Sequence, residues 1–280
     1  MGQTVRWNVA QSVFADEIAK DFAEQLTVLK REGLQRLDLR AAWGINVIDL
    51  SDEQVAEISR MLTERDMRVA CIGSPIGKTR ISDPFEDQIP RFRRALEVAK
   101  RVGTTNIRIF SFFLPKDEPP SRYRDEVLRR MSALAEIAYQ EAPELLLLHE
   151  NERGIYGEQV AECVDIFGSV NARNLRAVFD PANFVQAHVR PFQDAFPALA
   201  DQIAYIHIKD ATWDEGRVTP AGQGDGNLRE ILSALKDRGW TGVLALEPHL
   251  AHAGQMSGWT GPEQFHVAVE ALNVLLDELN

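Results

Sequence analysis

The feature of this sequence that most constrains its fold is a regular alternation of short β-rich runs with longer helical patterns. Eight such pairs follow one another, and no Ser- or Gly-rich linker divides them. The predicted strands are Val5–Ala10, Leu34–Arg40, Met67–Gly73, Asn106–Phe112, Glu144–His149, Leu175–Asp180, Ile203–Lys209 and Val243–Glu247. Eight strand–helix units favour a closed barrel. We therefore predict an α/β fold, a single (β/α)8 TIM barrel, as one domain over residues 1–280.

The predicted helices carry apolar residues at helical spacing. Asp16–Arg31 is an example, with Phe22, Leu26 and Leu29 on one face and Gly33 after its end. The others are Ser51–Arg65, Phe85–Val102, Ser121–Glu141, Gly157–Phe167, Pro191–Ala200, Asn227–Arg238 and Pro262–Leu279. An open doubly wound sheet is the alternative, but no G-x-G-x-x-G follows the first strand. The glycine-rich stretch 222–226 lacks the lysine of a phosphate-binding loop, so we expect a flexible loop over the barrel mouth.

The charge balance argues against nucleic acid and membrane as partners. Lys and Arg number 31 and Asp and Glu 42, a net charge of −11, which repels phosphate groups unless basic residues cluster. Apolar runs such as Leu145–Leu148 are far too short to span a bilayer. The N-terminal residues lack a signal-peptide pattern, and two cysteines cannot form a disulfide framework. We expect a cytoplasmic protein that acts on a small molecule, with a homo-oligomer left open.

Four consecutive predicted strands, the fifth to the eighth, each end in a potential metal ligand. These residues are Glu150, Asp180, His207 and Glu247. Strand ends form the mouth of a barrel, and the two-residue period lets all four side chains point into it. Three carboxylates around one imidazole need a cation, because buried charges need partners. We predict one divalent ion, Mn²⁺ first, with Mg²⁺, Co²⁺ and Zn²⁺ open; the alternative is that the acids only cap the following helices.

The segments around these residues are similar to those of a known family. They read LLLLHENERGIYG, AVFDPANF, YIHIKDA, AGQGDG and LALEPHL. The chain resembles the sugar phosphate isomerase/epimerase group of xylose isomerase-like barrels, which also includes tagatose and psicose epimerases and AP endonucleases. The resemblance implies one divalent metal held by Glu150, Asp180, His207 and Glu247. It also implies that Glu150 and Glu247 are catalytic and exchange protons next to a sugar carbonyl through a metal-stabilised enediolate.

Two positions depart from the epimerase pattern. Asn183 stands where epimerases commonly have a histidine, and an amide can bind a sugar hydroxyl but cannot shuttle a proton near neutral pH. Tyr156 stands where they have a second glutamate. Two alternatives to a sugar isomerase or epimerase therefore stay open. One is a keto-sugar lyase or dehydratase that uses the same metal site, and the other is a non-catalytic barrel that binds sugar or metal.

Six further residues are predicted to contact the substrate. They are Lys209, Asn183, His249, Glu152, Trp7 and Trp43. Lys209 and His249 each lie two residues beyond a predicted ligand and so share its face. Trp7 and Trp43 fall near the ends of early strands, where aromatic faces line sugar sites, although core packing is the more frequent role.

Two other polar residues near strand ends are expected to be structural. His149 precedes Glu150, so the strand period turns it toward the helices. Arg40 ends the second predicted strand, where it could bind a phosphate or carboxylate; we favour instead an ion pair with Asp38 on the same face.

The first prediction concerns nucleic acid. We expect weak binding to DNA that carries an abasic site, and no cleavage, because the sequence has no basic stripe. Efficient nicking of such DNA by the wild type, abolished in Glu247→Ala, would place the chain with the endonucleases instead.

Overall fold

The computed structural model of the chain describes residue 7 and residues 9–254 and 258–280. Eight parallel strands form the predicted barrel, and we label them β1 to β8 in chain order. They are Ala10–Val13, Arg36–Leu39, Arg68–Ile72, Asn106–Ile109, Leu146–Glu150, Leu175–Phe179, Ile203–Ile208 and Val243–Leu246. Their order is β1-β8-β7-β6-β5-β4-β3-β2. A parallel bridge between Phe14 and Asp38 links the two outer members, β1 and β2, and brings the barrel close to closure.

The helices lie between the strands, as predicted. Those described are α1 Phe22–Arg31, α2 Asp52–Thr63, α3 Gln88–Val102, α4 Arg124–Glu141, α5 Val160–Val170, α6 Pro181–Gln186, α7 Phe196–Leu199, α8 Leu228–Asp237 and α9 Pro262–Glu278. Their buried apolar residues pack on the outer face of the strands in one large cluster. In the part of the chain that the structure covers, no helix is both long and apolar enough to cross a membrane.

The first strand and helix begin later than predicted. The predicted strand Val5–Ala10 lies partly outside the described residues, and β1 starts only at Ala10. Helix α1 begins at Phe22 because the Asp21 side chain caps it, accepting a hydrogen bond from the backbone N–H of Glu24. Asp16 therefore lies in a 3₁₀ turn directly after β1 rather than in the helix. This shift brings the turn to the barrel mouth.

The segment between β6 and β7 also differs from the predicted single helix Pro191–Ala200. Helix α6 starts immediately after β6, because Asp180 caps it through Oδ1 and proline occupies the first helical position. A π-helical turn, Pro191–Ala195, and the short α7 follow. Asp180 is thus held at a strand–helix junction, which fixes the direction of its side chain.

The barrel interior confirms the predicted strand faces. Leu148, Val178, Tyr205 and Ala245 form one buried cluster together with Phe14 and Cys71. Each of the first four residues stands two positions before a predicted metal ligand, so the strand period carries those ligands to the mouth above this layer. Below the mouth, Asp38 accepts hydrogen bonds from Ser12 Oγ and Tyr205 Oη, so the barrel interior contains a buried polar network.

The glycine-rich loop after β7 is anchored rather than flexible. The carboxylate of Asp210 accepts backbone N–H bonds from Gly222, Gly224 and Gly226 at 2.8–3.0 Å. A Cβ on Gly224 would lie 2.4 Å from Asp210 Oδ1, so this approach requires glycine. The expectation of a flexible loop was wrong because the buried carboxylate of Asp210 accepts hydrogen bonds from three backbone N–H groups of the loop, which the glycines leave accessible.

Replacing Asp210 should therefore destabilise the fold. In Asp210→Asn, an NH₂ group faces amide donors, and we expect a loss of about 2 kcal/mol in the free energy of unfolding, the usual cost of unsatisfied buried polar groups. Urea denaturation measures it. Asp214→Asn, on the exposed part of the same loop, is the control. Equal unfolding free energies for the two variants would show that the loop is not held through Asp210.

Candidate metal centre

Four side chains from adjacent strands converge at the barrel mouth. The Nδ1 atom of His207 lies 3.2 Å from Glu150 Oε1, 3.3 Å from Glu247 Oε2 and 3.6 Å from Asp180 Oδ2. Each of the four residues offers one ligand atom within 4.8 Å of those of the other three, and all four residues are buried. One nitrogen and three carboxylate oxygens around a shared point make a donor set for a divalent cation.

Neighbouring side chains fix the direction of the four ligands. Asn151 exchanges two hydrogen bonds of 2.9 Å with the backbone of Asp180, which ties the end of β5 to the end of β6. Asn183 Nδ2 donates to Glu150 Oε1 at 3.2 Å. The His207 ring meets the Phe14 ring edge-on at 5.1 Å. Such outer contacts orient metal ligands in proteins.

The charges of the cluster fit a bound cation. Within the described chain, the buried Nδ1 of His207 has no hydrogen-bond partner. Burial alone would lower the pKa of His207, but the carboxylates of Glu150 and Glu247 outweigh it and raise that pKa well above its ordinary value. The site thus attracts a positive charge to its centre, either a proton on the imidazole or a metal ion.

Each of the two glutamates uses its second oxygen on a basic residue. Glu150 Oε2 lies 3.2 Å from Arg108 Nη1. Glu247 Oε1 lies 2.9 Å from Arg40 Nη1 and 3.5 Å from both Arg108 Nη1 and His249 Nε2. Burial opposes ionisation of both acids, but the surrounding cations outweigh it and lower their pKa values. Both glutamates are therefore carboxylates in the folded protein.

A cavity at the barrel mouth adjoins the four clustered side chains, and several predicted substrate contacts line it. Lys209, Asn183, His249 and Glu152 all line it, together with Glu150 and Glu247. Lys209 Nζ pairs with Asp180 Oδ2 at 2.7 Å, and His249 Nε2 pairs with Glu17 Oε1 at 3.1 Å. Burial alone would lower the pKa of His249, but Glu17 and Glu247 raise it to about 9, so this imidazole is cationic at neutral pH.

The two tryptophans that were predicted to contact the substrate, Trp7 and Trp43, are not among the residues that line this cavity. Trp7 donates through Nε1 to the backbone oxygen of Trp240, which precedes β8, so it lies at the opposite end of the barrel from the mouth. Trp43 packs against Phe22 of α1, with ring centroids 5.6 Å apart. The structure thus gives both rings a packing role, because proximity to a strand end does not specify which end, or which side, the ring faces.

Arg40 was also assigned the wrong partner. Its guanidinium contacts Asp16 at 2.7 Å and Glu247 at 2.9 Å, whereas Asp38 is bonded to Ser12 and Tyr205 inside the barrel. The later start of α1 explains the difference, because it leaves Asp16 on the turn that reaches Arg40. By contrast, His149 behaves as predicted: it faces the helix layer, bonded to Ser111 and packed against Phe167.

The sequence reasoning missed three residues of the site. They are Arg108, Lys78 and Glu17. Arg108 offered a signal, since an arginine between two isoleucines of a predicted strand must face the barrel interior. Lys78 and Glu17 lie in connections whose path the sequence pattern does not specify. Lys78 Nζ pairs with Glu152 Oε2 at 3.0 Å at the cavity.

Comparison with known proteins agrees with this geometry. Residues 29–278 match the family described as xylose isomerase-like TIM barrel. The chain belongs to this family. It is 25% identical over 161 residues to the uncharacterized protein MJ1311 of Methanocaldococcus jannaschii, covering 55% of this chain. The chain thus spans about half of that relative, 54% of its length.

Solved structures share the whole fold at low identity. A probable 3-DHS dehydratase of Bacillus anthracis matches with a TM-score of 0.75 and 16% identity, over 95% of this chain and 99% of that one. A D-tagatose 3-epimerase-like protein matches at 0.74 and 16%, over 97% and 100%. A family member of Mycobacterium smegmatis, solved in complex with magnesium, matches at 0.69 and 19%, over 98% of both chains. These neighbours share the barrel fold of the chain. The four clustered side chains at its mouth form a potential metal site.

The cluster predicts metal content directly. Elemental analysis of the purified protein should find about one divalent ion per chain, and the double variant Asp180→Asn/His207→Ala should lose it, because removing ligands costs at least ~10-fold in affinity. The Asp180→Asn change keeps an oxygen that can cap α6. Asp194→Ala/His266→Ala, at exposed positions, is the matched control. Equal metal content in all three proteins would exclude the four-ligand assignment.

Proposed function

We propose that this protein is a divalent-metal-dependent isomerase or epimerase that acts on a sugar or keto-sugar by moving a proton next to its carbonyl. The observation that carries this proposal is that the two carboxylate oxygens of Glu150, and those of Glu247, have different partners. Each directs one oxygen to the metal cluster and holds the other against a cation of the cavity wall. The epimerase and dehydratase names among the structural neighbours support an enzyme of this kind.

The residues present fit the metal that this chemistry needs. Glu150, Asp180, His207 and Glu247 would hold it, with Mn²⁺ as the first candidate. When bound, a divalent ion polarises a carbonyl and an adjacent hydroxyl and so makes the neighbouring C–H more acidic. The remaining steps fall to side chains of the chain itself.

The two glutamates would transfer the protons. They stand on β5 and β8, the two ends of a four-strand arc, so a substrate between them presents a different side to each. One carboxylate accepts the proton from carbon. If the other carboxylate takes a proton from solvent and gives it to the opposite face, the product is an epimer. If the first returns its proton to the neighbouring carbon, the product is the aldose or ketose isomer.

Other residues would orient the substrate and stabilise its charge. Lys209 sits beside Asp180 and can donate to a substrate oxygen that gains negative charge. Asn183 lines the cavity, but its two amide N–H groups already bond Glu150 Oε1 and the backbone oxygen of Asn151. It therefore acts as a positioning group for Glu150, and only its Oδ1 could accept a bond from a substrate hydroxyl. Glu152 pairs with Lys78 at the same cavity, which puts two further polar groups within reach of a sugar.

A lyase or dehydratase is the second candidate, and His249 favours it. This residue lines the cavity, and its pKa is raised to about 9, so it holds a proton at neutral pH and can give it to a departing hydroxyl. Elimination begins with the same proton removal as isomerisation. The two reactions differ in product mass: mass spectrometry would find loss of water for the dehydratase and none for the isomerase.

Exchange of solvent hydrogen tests the proposed proton transfer. The Mn²⁺-loaded wild type, incubated in D₂O with a panel of ketoses and keto-sugars, should place deuterium on the carbon next to the carbonyl of its substrate. Glu150→Gln and Glu247→Gln should each retain metal but lose at least ~100-fold in exchange rate, the scale of a lost acid–base group. Nuclear magnetic resonance measures the exchange.

Glu263→Gln, an exposed position at the start of α9, serves as the control. Wild-type exchange in both active-site glutamine variants would leave these residues as metal ligands only. Conversion without solvent deuterium would indicate a hydride shift or a shielded proton. Metal binding with no exchange on any sugar of the panel would favour the non-catalytic barrel.

A further inference from the structure

Three cations and two aromatic rings alternate along one side of the cavity. The Arg40 guanidinium lies 4.8 Å from the centre of the Phe14 ring, and the Arg108 guanidinium lies 5.1 Å from the same ring. Arg108 also lies 4.9 Å from the Phe110 ring, and Lys78 Nζ lies 4.3 Å from that ring. We call Arg40, Phe14, Arg108, Phe110 and Lys78 the cation wall. Cation–π contacts on both sides of a guanidinium hold its plane in place.

The cation wall and the metal ligands occupy different halves of the barrel mouth. The wall comes from β1 to β4 and the segments that follow them, whereas the four ligands end β5 to β8. The three cations of the wall line the same cavity as Glu150 and Glu247. A molecule bound at the metal cluster therefore has the wall as its neighbour.

The neighbours of Arg108 satisfy its positive charge only in part. The Arg108 side chain is 5% exposed, and within the described residues its Nε has no hydrogen-bond partner. Its anionic contacts are Glu150 at 3.2 Å and Glu247 at 3.5 Å, longer than the ~2.7–2.9 Å of strong charged hydrogen bonds. Those two carboxylates are also metal ligands. A bound cation would draw on their charge and leave the buried guanidinium less well compensated.

The side chains that line the cavity are mostly basic, although the chain carries a net charge of −11. The basic set is Arg40, Lys78, Arg108, Arg153, Lys209 and His249, and the acidic set is Glu150, Glu152 and Glu247. Three of the basic residues have acidic partners behind this lining: Asp16 for Arg40, Asp180 for Lys209 and Glu17 for His249. The lining and these partners balance in charge, so a divalent ion at the metal cluster would add a positive excess that an acidic sugar would offset and a neutral one would not.

We propose that the cation wall is a subsite for an oxyanion of the substrate, a carboxylate or a phosphate, so that the substrate is an acidic sugar or sugar derivative. This inference rests on the proposed function, because it places the reacting carbons at Glu150 and Glu247. The planar fork of Arg108 matches two oxygens of such a group. Lys78, at one end of the wall, adds a point charge and can exchange Glu152 for the anion.

A rival hypothesis is that the wall serves only to hold the two ligand glutamates in place. Lys78 separates the two hypotheses, since it pairs with Glu152 rather than with a metal ligand. If the wall has only the holding role, removal of the Lys78 charge leaves anion binding unchanged. If it forms a subsite, Lys78→Met weakens anion binding and Lys78→Arg restores it.

The experiment compares acids with neutral molecules of the same shape. Isothermal titration calorimetry of the Mn²⁺-loaded chain uses D-gluconate against D-glucitol for the carboxylate, and D-fructose 6-phosphate against D-fructose for the phosphate. We expect the acid of at least one pair to bind at least ~10-fold more tightly, the scale of one charged hydrogen bond. The pair that shows it identifies the oxyanion.

In Lys78→Met the preference should fall to below ~3-fold with unchanged manganese content, because the acid loses more affinity than its neutral partner. Lys116→Met, an exposed lysine outside the cavity, should keep the preference. Equal binding of acid and neutral molecule in both pairs would overturn the inference. So would a preference that survives in Lys78→Met, because the anion would then bind the metal itself.

The failure of this inference can be told from the failure of the proposed function. Deuterium exchange with neutral sugars but no preference for acids would support the proposed function and contradict the oxyanion subsite. A preference for acids without exchange would support the subsite and contradict the proposed function.

Discussion

The whole site depends on the compensation of three buried carboxylates. Glu150, Asp180 and Glu247 meet at His207, all of them buried, and each would be costly to bury as an isolated charge. The protein meets this requirement twice. A central cation, proton or metal, attracts the inner oxygens, and basic side chains hold the outer oxygens of the two glutamates. The first arrangement can exchange with solvent, whereas the second is built into the fold.

This double compensation explains how the ligands keep their geometry before a metal arrives. Arg108 bridges the outer oxygens of Glu150 and Glu247, and two aromatic rings fix its plane. Asn151 and Asn183 add hydrogen bonds from the β5–β6 junction. The side chains are therefore set by neighbours that are themselves buried, which is the condition for a site that does not have to reorganise when it binds.

The same arrangement separates the two halves of the barrel by chemistry. The later strands supply oxygen and nitrogen ligands, and the earlier ones supply guanidinium, ammonium and aromatic groups. A substrate between them would meet a centre for activating a carbonyl on one side and a surface for anchoring charge on the other. Parallel strands favour such a division, because all eight end at one mouth.

The sequence by itself determined the barrel and the position of four polar side chains that meet at its mouth. These follow from local rules: eightfold alternation gives the fold, and a period of two carries polar residues from a buried layer to the mouth. Leu148 and Glu150, or Tyr205 and His207, show that rule directly. His149, one residue out of phase, turns outward as the same rule requires.

Only the tertiary structure decided the partners of the basic residues and the path of the loops. Arg40 pairs with Asp16 and Glu247 rather than with the predicted Asp38. The reason is that α1 begins only after its cap at Asp21, which leaves a turn with Asp16 at the barrel mouth. Lys78 reached the cavity through a connection without periodic pattern. Ion pairs between distant residues depend on where whole segments lie, and periodicity within one strand carries no information about that.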